Sequence, residues 1–389
     1  MGRYRDKMED ILWELKGKAF SFLLYLFRIF PIQKDKVLIV NYYGAGFGDN
    51  GKYIAQELHK RNNALNIYWI SNQESGFPDY IHVISRHSLK SFYHLATAAV
   101  WIDNCRKAKC VIKRKKQYYM QTWHGSIALK RIEKDAEAHL EKKYVKSAIH
   151  DSKMADVMLS NGTFCTEMYR RAFWYDGEIL ECGSPRGDIL FYITDKQKLE
   201  IKEKLGILKS KRIILYAPTF RADGNLNCYG LDFQKILDVL QQRTGEKWVF
   251  AVRLHPNIAS KANLIQYNED IVNATSYPDM YELLAATDIL VTDYSSSMFE
   301  AGFVRKPVFL FATDIDSYTK DRNFYFDLPN LPYPLSKTNG ELLHQLESFN
   351  KIEYEQNLAA FYESLGLKES GNASALAVQK ILEVLGKID

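Results

Sequence analysis

Cysteine is sparse and unpaired in this chain of 389 residues: Cys105, Cys110, Cys165, Cys182 and Cys228 form no C-x-x-C pair, and no histidine sits at zinc-finger spacing. That pattern excludes a disulfide scaffold and a structural zinc, and fits buried thiols in a reducing cytosol. A dominant charge is also lacking. Lys and Arg number 52 against 47 Asp and Glu, a formal charge of +5, so bulk electrostatics do not point to nucleic acid. No carboxylate cluster recommends a catalytic metal, and no internal repeat is visible. The most apolar segment, "AFSFLLYLFRIFPI" (19–32), contains Arg28 and is shorter than the roughly 20 residues that span a bilayer. Acidic residues before it and the lack of a small-residue cleavage site argue against a signal peptide.

What is present is apolar and ordered. A hydrophobic fraction of 47% and an aromatic fraction of 13% exclude a disordered chain. The length predicts two domains of roughly 150–200 residues each. Over residues 1–35, Met8, Ile11, Leu12, Leu15, Ala19, Phe22, Leu23, Leu26, Ile29 and Phe30 recur at helical spacing, with Arg3, Arg5, Lys7, Lys16 and Lys18 among them. This predicts an amphipathic helix, and Trp13, Tyr25 and the phenylalanines beside basic residues favour the membrane interface over packing on the protein's own core.

From Lys36 short apolar runs alternate with helical stretches, as in "KVLIVNYYG", "NGKYIAQELHKR" and "NIYWIS". Such alternation predicts a parallel sheet covered on both faces. A charged stretch, "DKQKLEIKEKLGILKSKR" (195–212), precedes a second series that includes "RIILYAPTF", "KWVFAVRLHP" and "DILVTDYSS". The expected division is an N-terminal Rossmann-like domain over 36–200, a second over 201–370, and a C-terminal helix over 371–389 that could pack on either. Two such sheets leave a cleft where their carboxyl ends face each other.

Candidate chemistry clusters at strand ends. "NYYGAGFGDNGKYIAQEL" (41–58) places Gly44, Gly46 and Gly48 between a strand and a helix. No acidic residue closes the following strand, so a nicotinamide site is disfavoured, and a turn admitting a ligand, with Asp49 and Asn50 at the helix start, is preferred. "QTWHGS" (121–126) puts His124 just past a strand, where it either packs or reacts. "YAPTFR" (216–221) and "RLHP" (253–256) supply Thr219, Arg221, Arg253 and His255, which together suggest an anion site. In "TDYSSSMFEAGF" (292–303), Asp293 closes a strand, Ser295, Ser296 and Ser297 form a turn, and a helix carrying Glu300 begins. Hydroxyls and N–H groups at a helix start suit a phosphate, whereas simple capping uses one serine. Asp293 and Glu300 position the donor or support the helix.

In order and approximate spacing, "MQTWHGS…LK", "YAPTFR", "RLHP", "DMYELLAATDILVTDYSSSMFE" and "RNFYFD" resemble the CDP-glycerol glycerophosphotransferase family of teichoic acid synthesis, from about Lys36 to about Pro334. The resemblance implies an α/β fold of GT-B type with two Rossmann-like domains, and peripheral attachment to the cytoplasmic face of a bacterial membrane. It also implies transfer of glycerol phosphate from CDP-glycerol to an undecaprenyl-diphosphate-linked saccharide, with release of CMP and no tightly bound cofactor. His124 and His255 match the two motif histidines and are expected to be catalytic. Thr219, Arg221, Arg253, Asp293, Ser295, Ser296, Ser297 and Glu300 are expected on the donor, and Gly46, Asp49, Asn50 and Lys130 on the acceptor. "IALKRIE" departs from relatives that carry a proline before the leucine-lysine pair, which touches the acceptor side. The length favours a short primase-like member. A ribitol phosphate transferase using CDP-ribitol, a capsular glycerophosphotransferase, a nucleotide-sugar epimerase or glycosyltransferase, and a non-catalytic membrane scaffold are the competing readings. A homo-oligomer is compatible with all of them.

Overall fold

Runs of β-branched and aromatic residues, buried from both sides, build two parallel sheets in the computed structural model. It describes all residues except Met1, 222–228, 256–257, 259–264, 319–323 and 388–389, and the side chains of residues 2–11. Cys228, and the side chains of Arg3, Arg5, Lys7, Met8 and Ile11, therefore lie outside the described residues. Among the described residues, Cys105, Cys110, Cys165 and Cys182 form no disulfide.

The first sheet contains β1 (Gln33–Val40), β2 (Asn66–Ser71), β3 (Ile81–Ser85), β4 (Ala98–Asp103), β5 (Tyr118–Gln121), β6 (Val157–Ser160) and β7 (Glu178–Glu181), in the order β3-β2-β1-β4-β5-β6-β7. The second contains β8 (Arg212–Tyr216), β9 (Trp248–Val252), β10 (Ile271–Asn273), β11 (Ile289–Thr292), β12 (Val308–Phe311) and β13 (Leu335–Ser336), in the order β10-β9-β8-β11-β12-β13. Every residue of β4, β6, β9, β11 and β12 is buried, as expected where helices cover both faces. Strand order reverses between β1 and β4 and again between β8 and β11. In sheets of this kind ligands bind outside the carboxyl ends at such a reversal.

The chain divides into two compact units, one of Met1–His124, Ile132–Arg186 and Asn372–Asp389, the other of Gly125–Arg131 and Gly187–Gly371. The passage between them falls after Arg186 rather than near residue 200, and it also cuts "QTWHGS" between His124 and Gly125. Within the charged stretch 195–212 lies a helix over Asp195–Lys204, started by a capping box between Thr194 and Gln197, and it packs on the second unit's helix Met280–Ala286. The C-terminal helix Ala373–Val384 joins the first unit. Its Ala377, Val378, Ile381 and Leu382 share a core with Ile54 and Leu58 of α2 (helix Asp49–Arg61) and with Ile39 and Ile67 of the sheet. Gly51 lets α2 approach that sheet: a Cβ there would lie 2.8 Å from Ile39 Cγ2.

The N-terminal helix, α1 (Gly2–Leu26), carries two different faces. Phe20, Leu24 and Phe27 pack inward, with the Phe20 ring 4.6 Å from Phe92 on the helix Leu89–Thr97. Leu12, Trp13, Leu15, Phe22, Tyr25 and Leu26 are exposed, as are Ile29 and Phe30 just beyond the helix, Ile29 by 82%. Among the described residues no helix is long and apolar enough to cross a membrane.

Candidate functional site

In the first unit the turn after β1 is bent by backbone in the left-handed region at Tyr42, Tyr43, Gly44 and Asp49, only one of them a glycine. Such strain persists where surroundings over-determine it. The surroundings here are polar. Asp49 is buried and accepts hydrogen bonds from Arg186 Nη1 at 2.7 Å, Asn104 Nδ2 at 3.1 Å and the Tyr42 hydroxyl at 3.2 Å. Burial pushes its carboxyl up, but the Arg186 charge and these hydrogen bonds outweigh that and lower its pKa. Asn50 Nδ2 donates to the Trp123 carbonyl at 2.9 Å, and Asn50 Oδ1 accepts from Arg186 N at 3.1 Å. Asn41 Nδ2 donates to the carbonyl of Gly46 at 3.1 Å.

His124 follows β5 by three residues, after Trp123 at φ +54°. Trp123 is anchored edge-on to Phe173 at 4.7 Å and lies 4.1 Å from the imidazole. His124 Nδ1 is 2.7 Å from the Asn104 carbonyl. A carbonyl only accepts, so Nδ1 carries the proton and Nε2 keeps its lone pair. Burial lowers the imidazole pKa, and the Asn104 hydrogen bond and the Asp49 charge oppose it. The neutral form is the resting state above the ordinary histidine pKa.

In the second unit, Arg221 is buried among carboxylates. Its Nε donates to Asp314 at 2.6 Å, Nη2 to Asp293 at 2.8 Å and to Asp314 at 3.1 Å, and Nη1 to the carbonyl and hydroxyl of Thr219 at 2.8 and 2.7 Å. Asp293 also accepts from Thr219 N at 2.8 Å, and Tyr294 donates to Asp314 at 2.9 Å. Arg253 differs. Its Nη1 bonds the carbonyls of Ala274 and Tyr277, and no ion pair to it occurs among the described residues. Burial lowers its pKa, and Asp279 and Tyr277 oppose the shift.

His255 stacks on Phe220 at 5.9 Å, its pKa lowered first by burial and then by the Lys130 charge. Ser295 Oγ accepts from Ser297 N at 3.3 Å and Ser297 Oγ at 2.9 Å, while Ser296 opens the helix Ser297–Phe303 without a side-chain cap bond. Glu300 is buried on that helix and accepts from Ser126 Oγ at 2.9 Å and Tyr281 OH at 2.8 Å. Lys130 is placed in the second unit, bridged to Phe324.

Gly46, Asp49, Asn50 and His124 are thus gathered in one unit, and Thr219, Arg221, Asp293 and the serines, with Lys130 influencing His255, in the other. A family model described as CDP-Glycerol:Poly(glycerophosphate) glycerophosphotransferase matches residues 22–383. The chain belongs to this family. Among its relatives, a teichoic acid poly(glycerol phosphate) polymerase of Bacillus spizizenii is 29% identical, with 94% of this chain and 96% of that one aligned. A protein of the same description from Bacillus subtilis is also 29% identical over 95% of this chain, and the chain spans 52% of its length. A solved structure of a variant of the wall teichoic acid polymerase TagF soaked with CDPG is 27% identical, covers 98% of both chains and has a TM-score of 0.82.

Four residues of this glycerophosphotransferase escaped the motif reading: Asn104, Arg186, Tyr294 and Asp314. Arg186 lies in "GSPRGD" (183–188), just after the strand-like "EILECG", and an arginine at a strand end was the available signal. Asn104, Tyr294 and Asp314 carry no signal of their own, because each is defined by a partner distant in sequence.

Proposed function

We propose that this enzyme transfers glycerol phosphate from CDP-glycerol to a hydroxyl of a lipid-linked saccharide in teichoic acid synthesis and releases CMP. The observation that carries the mechanism is the hydrogen bond from His124 Nδ1 to the Asn104 carbonyl, which leaves Nε2 as a base. The acceptor oxygen bonds to the β-phosphorus as its proton passes to Nε2. The bond from that phosphorus to the CMP oxygen breaks, and CMP leaves with the electron pair. A positioned base contributes on the order of 10²–10⁴ in rate.

In this reading the first unit serves the acceptor and the second the donor, as in GT-B enzymes. Arg253, whose hydrogen bonds among the described residues go to carbonyls, retains a charge for the pyrophosphate, and His255, Lys130, Ser295 and Ser296 add donors. Arg221, Thr219, Asp293 and Ser297 frame that site, and Glu300 holds Ser126 beside it. Gly46, Asp49 and Asn50 shape the acceptor side around His124.

The exposed apolar side of the N-terminal helix supports peripheral attachment to the inner face of the membrane. Arg114 donates to the Phe30 carbonyl at 2.7 Å, and the exposed Lys115 and Lys116 follow Arg114 directly in the chain. Apolar area next to lysine is the combination that binds anionic lipid.

The test is His124→Ala. Turnover should fall by about 10²-fold or more, while calorimetric CDP-glycerol binding and melting temperature stay near wild type. A folded variant that binds donor and turns over normally would remove the base assignment.

A further inference from the structure

We propose that Arg186 is a positioning residue for His124, acting through the buried carboxylate of Asp49. The inference rests on the reading of His124 as the base. Arg186 Nη1 donates at once to Asp49 Oδ2 and to the His124 carbonyl, both at 2.7 Å. Its backbone N–H donates to Asn50 Oδ1 at 3.1 Å, and Asn50 Nδ2 reaches the Trp123 carbonyl at 2.9 Å. Two successive carbonyls around the left-handed Trp123 are therefore held by one cluster. The ring end is held by the same carboxylate: Asn104, whose carbonyl accepts the hydrogen bond from Nδ1–H, donates its amide to Asp49 Oδ1 at 3.1 Å. Peptide and imidazole of His124 are both referenced to Asp49.

The Arg186 and Asp49 side chains are 4% and 6% exposed, so neither is placed to touch substrate. Their effect on the reaction is orientation. A base displaced by about 1 Å can lose on the order of 10²-fold in rate. The chain also leaves the first unit at His124 and again at Arg186, so this hydrogen bond joins the two exits within that unit.

The experiment compares Arg186→Met, Arg186→Lys and His124→Ala in the full chain, measuring kcat, KM for CDP-glycerol, calorimetric donor binding, melting temperature and the pH dependence of kcat. The Met variant should lose on the order of 10²-fold in kcat with KM for CDP-glycerol within about 3-fold. The Lys variant, which keeps the charge opposite Asp49, should recover part of that loss. The acid limb should move as well. Asp49 and Glu133 raise the imidazole pKa and Arg186 lowers it, with Cys105 and Tyr42 also facing the ring, so removing the arginine should shift the limb to higher pH.

If the Met variant does not fold, the Lys variant decides: reduced kcat at unchanged melting temperature supports positioning. Wild-type kcat and an unmoved limb in a folded variant overturn it. An active His124→Ala overturns the base reading and this inference with it, whereas an inactive His124→Ala beside an unimpaired Arg186→Met, or beside an unimpaired Arg186→Lys where the Met variant does not fold, overturns this inference alone.

Discussion

Arg221 and Arg253 follow the adjacent strands β8 and β9, yet their guanidinium groups meet different partners: two carboxylates in one case, two backbone carbonyls in the other. Removing Arg221 breaks its buried ion pairs with Asp293 and Asp314. Arg221→Met should therefore cost about 3–5 kcal/mol in urea denaturation, the usual penalty for breaking a buried pair from one side. Arg253→Ala should leave stability nearly unchanged and cost roughly 1.5–3 kcal/mol in CDP-glycerol binding. The reverse pattern would exchange their roles. For His124 the sign of the pH effect follows from burial. A lowered imidazole pKa keeps the free base populated to more acidic pH, so half-maximal kcat should fall below the ordinary value of about 6.5. A limb at higher pH would contradict the buried setting of the ring. Motif reading finds the cations at these strand ends, but it is blind to Asp314, which lies 93 residues beyond Arg221.

At the scale of elements, the N-terminal helix is legible from periodicity, but its apolar residues lie on more than one face and periodicity does not say which is covered. Leu24 is 1% exposed and packs with Phe20, Phe27 and Phe92. Leu24→Ala should cost about 2–4 kcal/mol of stability and leave vesicle binding as it is. Phe22→Ser combined with Ile29→Ser should do the opposite. Each large apolar side chain buried contributes about 1.5–3 kcal/mol, so sedimentation with anionic vesicles should weaken at least about ten-fold at unchanged melting temperature. Equal sedimentation of the double variant and wild type would leave the exposed face without a membrane role.

On the scale of the whole molecule, the first unit is closed by a segment from the far end of the chain. Ile381 is fully buried against α2 and the sheet, so Ile381→Ala should cost about 2–5 kcal/mol. Hydrogen exchange should show amides of β1 and β2 losing protection while those of β8 and β9 keep theirs. Uniform loss across both sheets would mean that the two units do not unfold separately. The sequence by itself determined the alternation of strands and helices, the parallel sheets and the placing of His124 past a strand end, because strands buried on both faces read as continuous apolar runs and strand ends are local features. Only the tertiary structure decided which unit receives the last helix, that Glu300 takes Ser126 from 174 residues away, and that Arg186 meets Asp49 across 137. Such pairings depend on the path of the whole chain, and in sequence an arginine paired with a distant carboxylate is indistinguishable from one that binds an anion.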